Sequence, residues 1–535
     1  MQSLALNFWD DAIILGYFAA ILLIGLGLRR RAASASEFFL AGRSLPVLIT
    51  GTAFVAANSG AVEVMGMLST SAKYGMRAVH FYWVGAIPAM IFLALFMMPI
   101  YYRSRVRSVP EFLKVRFGEK TRTFNALSFA VLTVLMSGIS LYAMALILRL
   151  LLNWSFTAAV LLSSTIVLAY ILMGGLTATI YNEVLQFGLI VMGFVPLAFF
   201  VIRQFHGWHG LAAALPGDLG HAWKGMRIFD PGTATLDGFG TVMGLGFVVS
   251  FSYWCTDFLL VQRALAARDT TAACGTPLVA AVAKLFFPAL VVLPGVAAVA
   301  LFPVALHSGY DLALPLLLGR YYPHGLLGLG ITAILASFMS GMAGNISAFN
   351  TVWTYDLYQA HFAPNRSEAH YLRVGRWATV GATTLSIGTA FVALSFNSLM
   401  DYVQLLFAIF NAPLFATFLL GMFTSWATPT GAFAGLVSGT AASLLHYGLY
   451  HAGIVRYGSD MTANFYGAMG GWATCLVVTA VISVWTTRPP LEELKGLVYG
   501  LEGQGFLSGI RKPYALAIMA AVILLAAAIL NWIFY

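Results

Sequence analysis

Long apolar stretches, each closed by a short polar or basic one, follow one another along nearly the whole chain. A helix needs about 20 mostly apolar residues to cross the hydrocarbon core of a bilayer. By that template the pattern predicts fourteen spanning helices, at roughly 10–28, 45–72, 77–102, 123–152, 156–173, 176–203, 236–261, 274–302, 325–358, 376–396, 399–423, 430–450, 463–487 and 513–535. Helices follow instead of strands because the apolar residues run on continuously and do not alternate over about ten positions. The expected fold class is all-α integral membrane. The same pattern divides the chain into an N-terminal extra helix with a basic inner loop (1–44), a first five-helix block (45–203), an outer loop (204–235), a second five-helix block (236–423) and three C-terminal helices (424–535).

Composition removes the alternatives. Apolar residues make up 60% of the 535 positions and charged residues 9%, against about 25% charged in soluble proteins. Charge this sparse could not cover a soluble surface, and it excludes a nucleic-acid-binding domain and a disordered chain. The net charge of +9 reports topology. With the N-terminus outside, the inner loops hold twenty basic residues, among them Arg29, Arg30, Arg31, the cluster from Arg103 to Arg122, and Arg263. The outer loops hold seven. That asymmetry follows the positive-inside rule and places both termini outside a plasma (inner) membrane crossed many times. The 103–122 cluster is expected to touch anionic headgroups as well. Asp10 and Asp11 stand where a cleavable signal would carry basic residues. Cys255, Cys274 and Cys475 are odd in number and lack metal-ligand spacing, so buried thiols are expected. His206 and His209 have no third or fourth ligand in view and are expected to be ordinary loop histidines.

Polar or helix-breaking residues at membrane depth are costly and point to function. Asn58-Ser59-Gly60, with Glu63 close behind, interrupts the second span, and Ser250-Phe251-Ser252-Tyr253-Trp254 lies near the middle of the seventh. These spans lead the two five-helix blocks. An odd number of helices per block makes the blocks enter the membrane in opposite directions, which with broken leading helices is a recurrent transporter plan. Gly and Ser also serve close helix packing, the competing reading of any one interruption. Lys284, about ten residues into its span, reads as part of a polar pathway or as a snorkelling side chain. Gln404 can donate and accept within the eleventh span, near Asp401 and Tyr402. Glu183 lies one turn into the sixth span, where the helix dipole alone could stabilise it. Ser337, Ser340 and Gly341 share one helix face, suited equally to a hard cation and to close packing.

At these residues the chain resembles the sodium/solute symporters, in particular the sodium/glucose and sodium/galactose cotransporters. The likeness rests on Glu37-Phe38-Phe39-Leu40-Ala41-Gly42-Arg43, Pro110-Glu111-Phe112-Leu113, Arg116-Phe117-Gly118, Gly174-Gly175-Leu176, Tyr253-Trp254-Cys255-Thr256-Asp257, Val261-Gln262-Arg263 and Leu293-Pro294-Gly295, over roughly 37–425. The resemblance implies about fourteen helices around a 5+5 inverted-repeat core of the leucine-transporter type with two discontinuous helices. It implies that Asn58, Tyr253, Lys284 and Gln404 contact or gate a sugar, that Ala56, Ser59, Ser337 and Ser340 hold sodium, and that Glu183 stands near the sodium exit. The chain departs from the family pattern at Gly341, where a second sodium-binding hydroxyl is common, at Tyr82, where a sugar-binding carboxylate is usual, and at Ser250, where an amide is common. Glu63 adds an acid beside the pocket.

The function expected is sodium-coupled symport of a small polar solute, a sugar or polyol first, by alternating access. The alternatives are a proton-coupled or sodium-independent carrier of a small organic acid or amino acid and, more remotely, a solute-binding membrane sensor. No nucleophile–base pair or ligand cluster suggests an enzyme. Sodium is expected as cargo, with no organic cofactor. The expected partners are solute, sodium and lipid; no protein partner is evident, and a monomer is expected to suffice.

Overall fold

A computed structural model describes residues 6–28, 34–60, 62–233, 235–306, 309–395, 398–501 and 510–535; Arg29, Arg30 and Arg31 lie outside the described residues. Among the described residues the protein is entirely helical, with one isolated bridge between Leu45 and Ala267 and no strand. Among the described residues nine helices are long and apolar enough to cross a membrane, and two bent pairs, Val47–Asn58 with Val62–Val79 and Gly240–Thr256 with Phe258–Leu265, pass the same test when each is taken together. Glu368–Val392 and Pro429–His451 are further long helices.

Burial sorts these helices into an inner and an outer set. Leu326–Phe362 is 89% buried over its most apolar window, whereas Phe8–Leu28 is 17% buried and Pro513–Ile533 22%. The outer helices turn Leu15, Leu23, Ile518 and Val522 outward, each at least 60% exposed. Surface that apolar is stable against lipid and not against water.

Phe156–Gln204 spans 49 residues, roughly 74 Å of helix and more than twice the ~30 Å hydrocarbon thickness. It is two helical halves meeting at Gly175, which leaves helical geometry at φ 57°, ψ −152°. A Cβ there would also lie 2.7 Å from Phe38 Cδ2 and 2.9 Å from its carbonyl oxygen. Gly175→Ala is therefore expected to lower the thermal unfolding midpoint sharply, since strain and overlap add. An unchanged midpoint in a detergent melt would contradict this.

Several helices widen locally to π-type turns: Val62–Gly66, Phe81–Ala86, Gly240–Val249 and Phe407–Asn411. Each contributes residues to a single cavity. Such turns push a backbone carbonyl out of the i→i−4 ladder and recur at binding sites.

Candidate functional site

The first break builds one half of the site. The Val47–Asn58 helix stops at Ser59, whose ψ of 40° leaves helical geometry, and the direction changes by 60° before Val62–Val79 continues. Leu326–Thr351 crosses this break closely: a Cβ on Gly341 would lie 3.1 Å from Gly60 Cα. Glycine on both sides lets the two backbones touch. Ser337 Oγ donates to Ser59 O at 2.7 Å and Ser340 Oγ to Ala56 O at 3.0 Å. Ala56, Ser59, Ser337 and Ser340 thus bring two hydroxyl and two carbonyl oxygens together. Gly341 supplies no fifth, and a side chain there would press on the Gly60 backbone.

A cavity opens beside this cluster, with about 90 Å³ of room for the centres of water-sized molecules. Asn58, Glu63, Tyr82, Ser250, Tyr253, Lys284 and Gln404 all line it. Asn58 Nδ2 donates to the Tyr253 hydroxyl at 3.0 Å, and Tyr253 stacks on Phe407 with centroids 4.6 Å apart. Lys284 Nζ pairs with Glu63 Oε1 at 2.7 Å beneath the rings of Phe287, Tyr82 and Trp254, at 4.5, 5.5 and 5.6 Å. Lys284 is fully buried; its charge is met by one carboxylate and three ring faces. Gln404 Nε2 reaches Met400 Sδ at 3.3 Å. Asn58 Oδ1, Gln404 Oε1 and the Tyr82 hydroxyl are buried without a hydrogen-bond partner among the described residues. Unpaired oxygens cost about 1–3 kcal/mol each, so this wall suits a ligand rich in hydroxyl donors.

The second break is not where the sequence placed it. Ser250–Thr256 is continuous helix, and the 48° bend falls at Asp257. Serine and threonine did not interrupt the helix because their hydroxyls bond back to its own carbonyls, Ser252 to Val249 O at 2.7 Å and Thr256 to Ser252 O at 2.6 Å. Asp257, extended at ψ 117°, caps the next helix by accepting from Leu259 N at 2.9 Å, and it lines the cavity. An aspartate inside an apolar run was the signal that could have marked it.

Glu183 does not join the four-oxygen cluster. Both of its oxygens are held by Arg263, at 2.5 and 3.2 Å, and both side chains are fully buried. Arg263 is thus no loop residue: a Cβ on Gly344, three residues along from Gly341, would meet its Nη2 at 3.2 Å. Arg116 and Arg122, expected at headgroups, are buried too. Arg116 donates to the carbonyls of Gly421 and Thr424 at the end of one helix and of Ala427 just before the next, and Arg122 pairs with Asp356 at 2.9 Å. Burial lowers Arg116 to about 10. The three cysteines are buried free thiols, and among the described residues His206 and His209 belong to no metal-ligating group.

The family model described as the sodium:solute symporter family matches residues 38–439. A sodium/glucose cotransporter of Vibrio parahaemolyticus is 28% identical over 456 residues, 81% of this chain and 84% of its own. A sodium/mannose cotransporter of Bos taurus is 30% identical over 465 residues, 81% of this chain and 77% of its own. Among solved structures, a Na+-coupled sialic acid symporter in a substrate-bound outward-open state superposes with a TM-score of 0.77 at 20% identity, over 90% of this chain and 99% of that one. Likeness at that identity establishes a shared fold.

Proposed function

The chain belongs to the sodium:solute symporter family, and from that premise we propose that it carries a small uncharged polyhydroxylated solute, a sugar or polyol, together with sodium. The observation that carries this reading is adjacency. Asn58 faces the cavity and Ser59, the next residue, gives its carbonyl to the Ser337 hydroxyl. The last turn of Val47–Asn58 and the break that follows it therefore answer to both cargoes. Sodium at Ala56, Ser59, Ser337 and Ser340 would draw the break against Leu326–Thr351 and fix Asn58 for the solute; loss of either cargo loosens the other.

The Glu63–Lys284 pair sets the class of solute. Its charges cancel each other, so a carboxylate solute would meet a lysine already neutralised. Hydroxyl donors meet Asn58 Oδ1, Gln404 Oε1 and the Tyr82 hydroxyl. A tenfold sodium gradient contributes about 1.4 kcal/mol and one charge moving through 100 mV about 2.3 kcal/mol, enough to concentrate a neutral solute several hundredfold.

The same reading includes fourteen crossings with 45–203 and 236–423 as inverted repeats, and both termini outside. Support comes from the nine apolar helices, the two bent pairs, the division of Phe156–Gln204 at Gly175, and the helices Glu368–Val392 and Pro429–His451. Glu183, held by Arg263, acts in it as part of a closed cytoplasmic seam.

Uptake into proteoliposomes tests the assignment. Hexoses, polyols, carboxylates and amino acids are offered under an inward sodium or potassium gradient. Accumulation of a hexose or polyol with sodium alone is expected; accumulation confined to carboxylates, or indifferent to sodium, would overturn it.

A further inference from the structure

Phe8–Leu28 stands outside both five-helix blocks and turns most of its surface to lipid, yet one stripe of it is buried: Asp10, Tyr17, Ile21 and Gly25. Their spacing keeps the stripe on one helix face. Two of the four are polar, which packing in a bilayer does not call for. Asp10 Oδ1 accepts from Gly325 N and Gly328 N, each at 2.7 Å, and so satisfies free amides at the start of Leu326–Thr351. The backbones are close there, since a Cβ on Gly328 would lie 2.5 Å from Asp10 Cα. About two turns further along, the Tyr17 hydroxyl donates to Met339 Sδ at 3.5 Å and accepts from Gln186 Nε2 at 3.1 Å. Tyr170 donates to the Met339 carbonyl at 3.3 Å. Tyr17, Tyr170, Gln186 and Met339 are each at most 4% exposed.

Met339 directly precedes Ser340 and follows Ser337 by two positions. Successive helical residues are about 100° apart, so Met339 points about 160° away from Ser337 and about 100° from Ser340. Leu326–Thr351 is therefore gripped from behind at the level where its front gives Ser337 Oγ to Ser59 O and Ser340 Oγ to Ala56 O. Binding groups have to be held to within about 0.5 Å of their working geometry, and the grip at Met339 acts on the same turn of helix.

We infer that Tyr17 is a positioning residue for the sodium cluster. Its hydroxyl joins Met339 to Gln186 and holds Leu326–Thr351 at the rotation that Ala56, Ser59, Ser337 and Ser340 need. Asp10 fastens the end of the same helix, so Phe8–Leu28 and Leu326–Thr351 move as one body. Sodium affinity is then set in part by a helix that contributes no described residue to the cavity. This rests on the sodium reading above.

The test is a sodium titration of thermal stability on the purified full chain, at constant ionic strength with potassium as the balancing ion, which reads binding without transport. Tyr17→Phe keeps the ring and removes only the hydroxyl. It is expected to raise the half-saturating sodium about three- to tenfold, less than the 10- to 100-fold typical of groups bonded directly to metal ligands. Met339→Leu, which keeps the volume and removes the sulfur, is expected to raise it to a smaller extent. Leu15→Ala, on the lipid-facing side of the same helix at 67% exposure, is expected to leave it unchanged. In uptake, Tyr17→Phe is expected to keep the wild-type solute KM at saturating sodium. A Tyr17→Phe half-saturation equal to the wild type overturns the inference even if the melting midpoint falls, because a purely structural contact lowers the midpoint without moving the half-saturation. An equal shift in Leu15→Ala overturns it too. A wild-type chain whose midpoint ignores sodium and whose uptake does the same would instead overturn the symport reading, so the two failures are distinct.

Discussion

Lys284→Ala is expected to abolish solute accumulation and to lower thermal stability by about 3–5 kcal/mol, because it strands the Glu63 carboxylate in a buried site. The pair is 2.7 Å long with Lys284 fully buried, and three ring faces at 4.5–5.6 Å surround the ammonium. Glu63→Gln is expected to cost similarly, since it strands the ammonium. Glu63→Gln combined with Lys284→Met removes both charges and is expected to recover most of the melting temperature, yet no uptake, because both side chains line the cavity. Recovery of transport along with stability in the double variant would show that the pair is only a structural tie.

Arg263→Ala carries the second large effect. It removes both N–H donors to Glu183 at once and a donor to Leu259 O at 2.8 Å, with the Arg263 and Glu183 side chains at 0% exposure. A stability loss of about 3–5 kcal/mol is expected, read as a large fall in the detergent melting midpoint. Arg263→Met with Glu183→Gln is expected to melt well above the single variant. If Glu183 were instead a free carboxylate serving the departing ion, Arg263→Ala would leave the midpoint nearly unchanged and alter only sodium release.

Much of this architecture is legible in the residues alone, and the reasons are local. The helices follow from apolar run length, which is set by bilayer thickness. The Asn58-Ser59-Gly60 interruption is visible because three poor helix formers stand together where apolar residues should continue, and the Ser337/Ser340 spacing places two hydroxyls on one face. The second break is hidden by an identity of composition. A serine that bonds its own helix and an aspartate that ends one look alike in a hydropathy trace, and the decisive fact is the Asp257 cap on Leu259 N. The π-type turns around the cavity leave no periodic signature within one turn. Arg116, Arg122 and Arg263 are read as loop charges because buried arginines are paid for by distant carbonyls and carboxylates, partners that come from segments far away in sequence. The Glu63–Lys284 contact, across 221 positions, is invisible for the same reason.

The claim on which the rest depends is that the oxygens of Ala56, Ser59, Ser337 and Ser340 hold the coupling sodium. Its most direct test is initial solute uptake across a sodium series at fixed membrane potential, for the wild-type chain and for Ser340→Ala. A saturable sodium curve is expected for the wild type, shifted at least tenfold to higher sodium in Ser340→Ala, with solute affinity at saturating sodium unchanged. Superimposable curves, or uptake flat across the series, would contradict it.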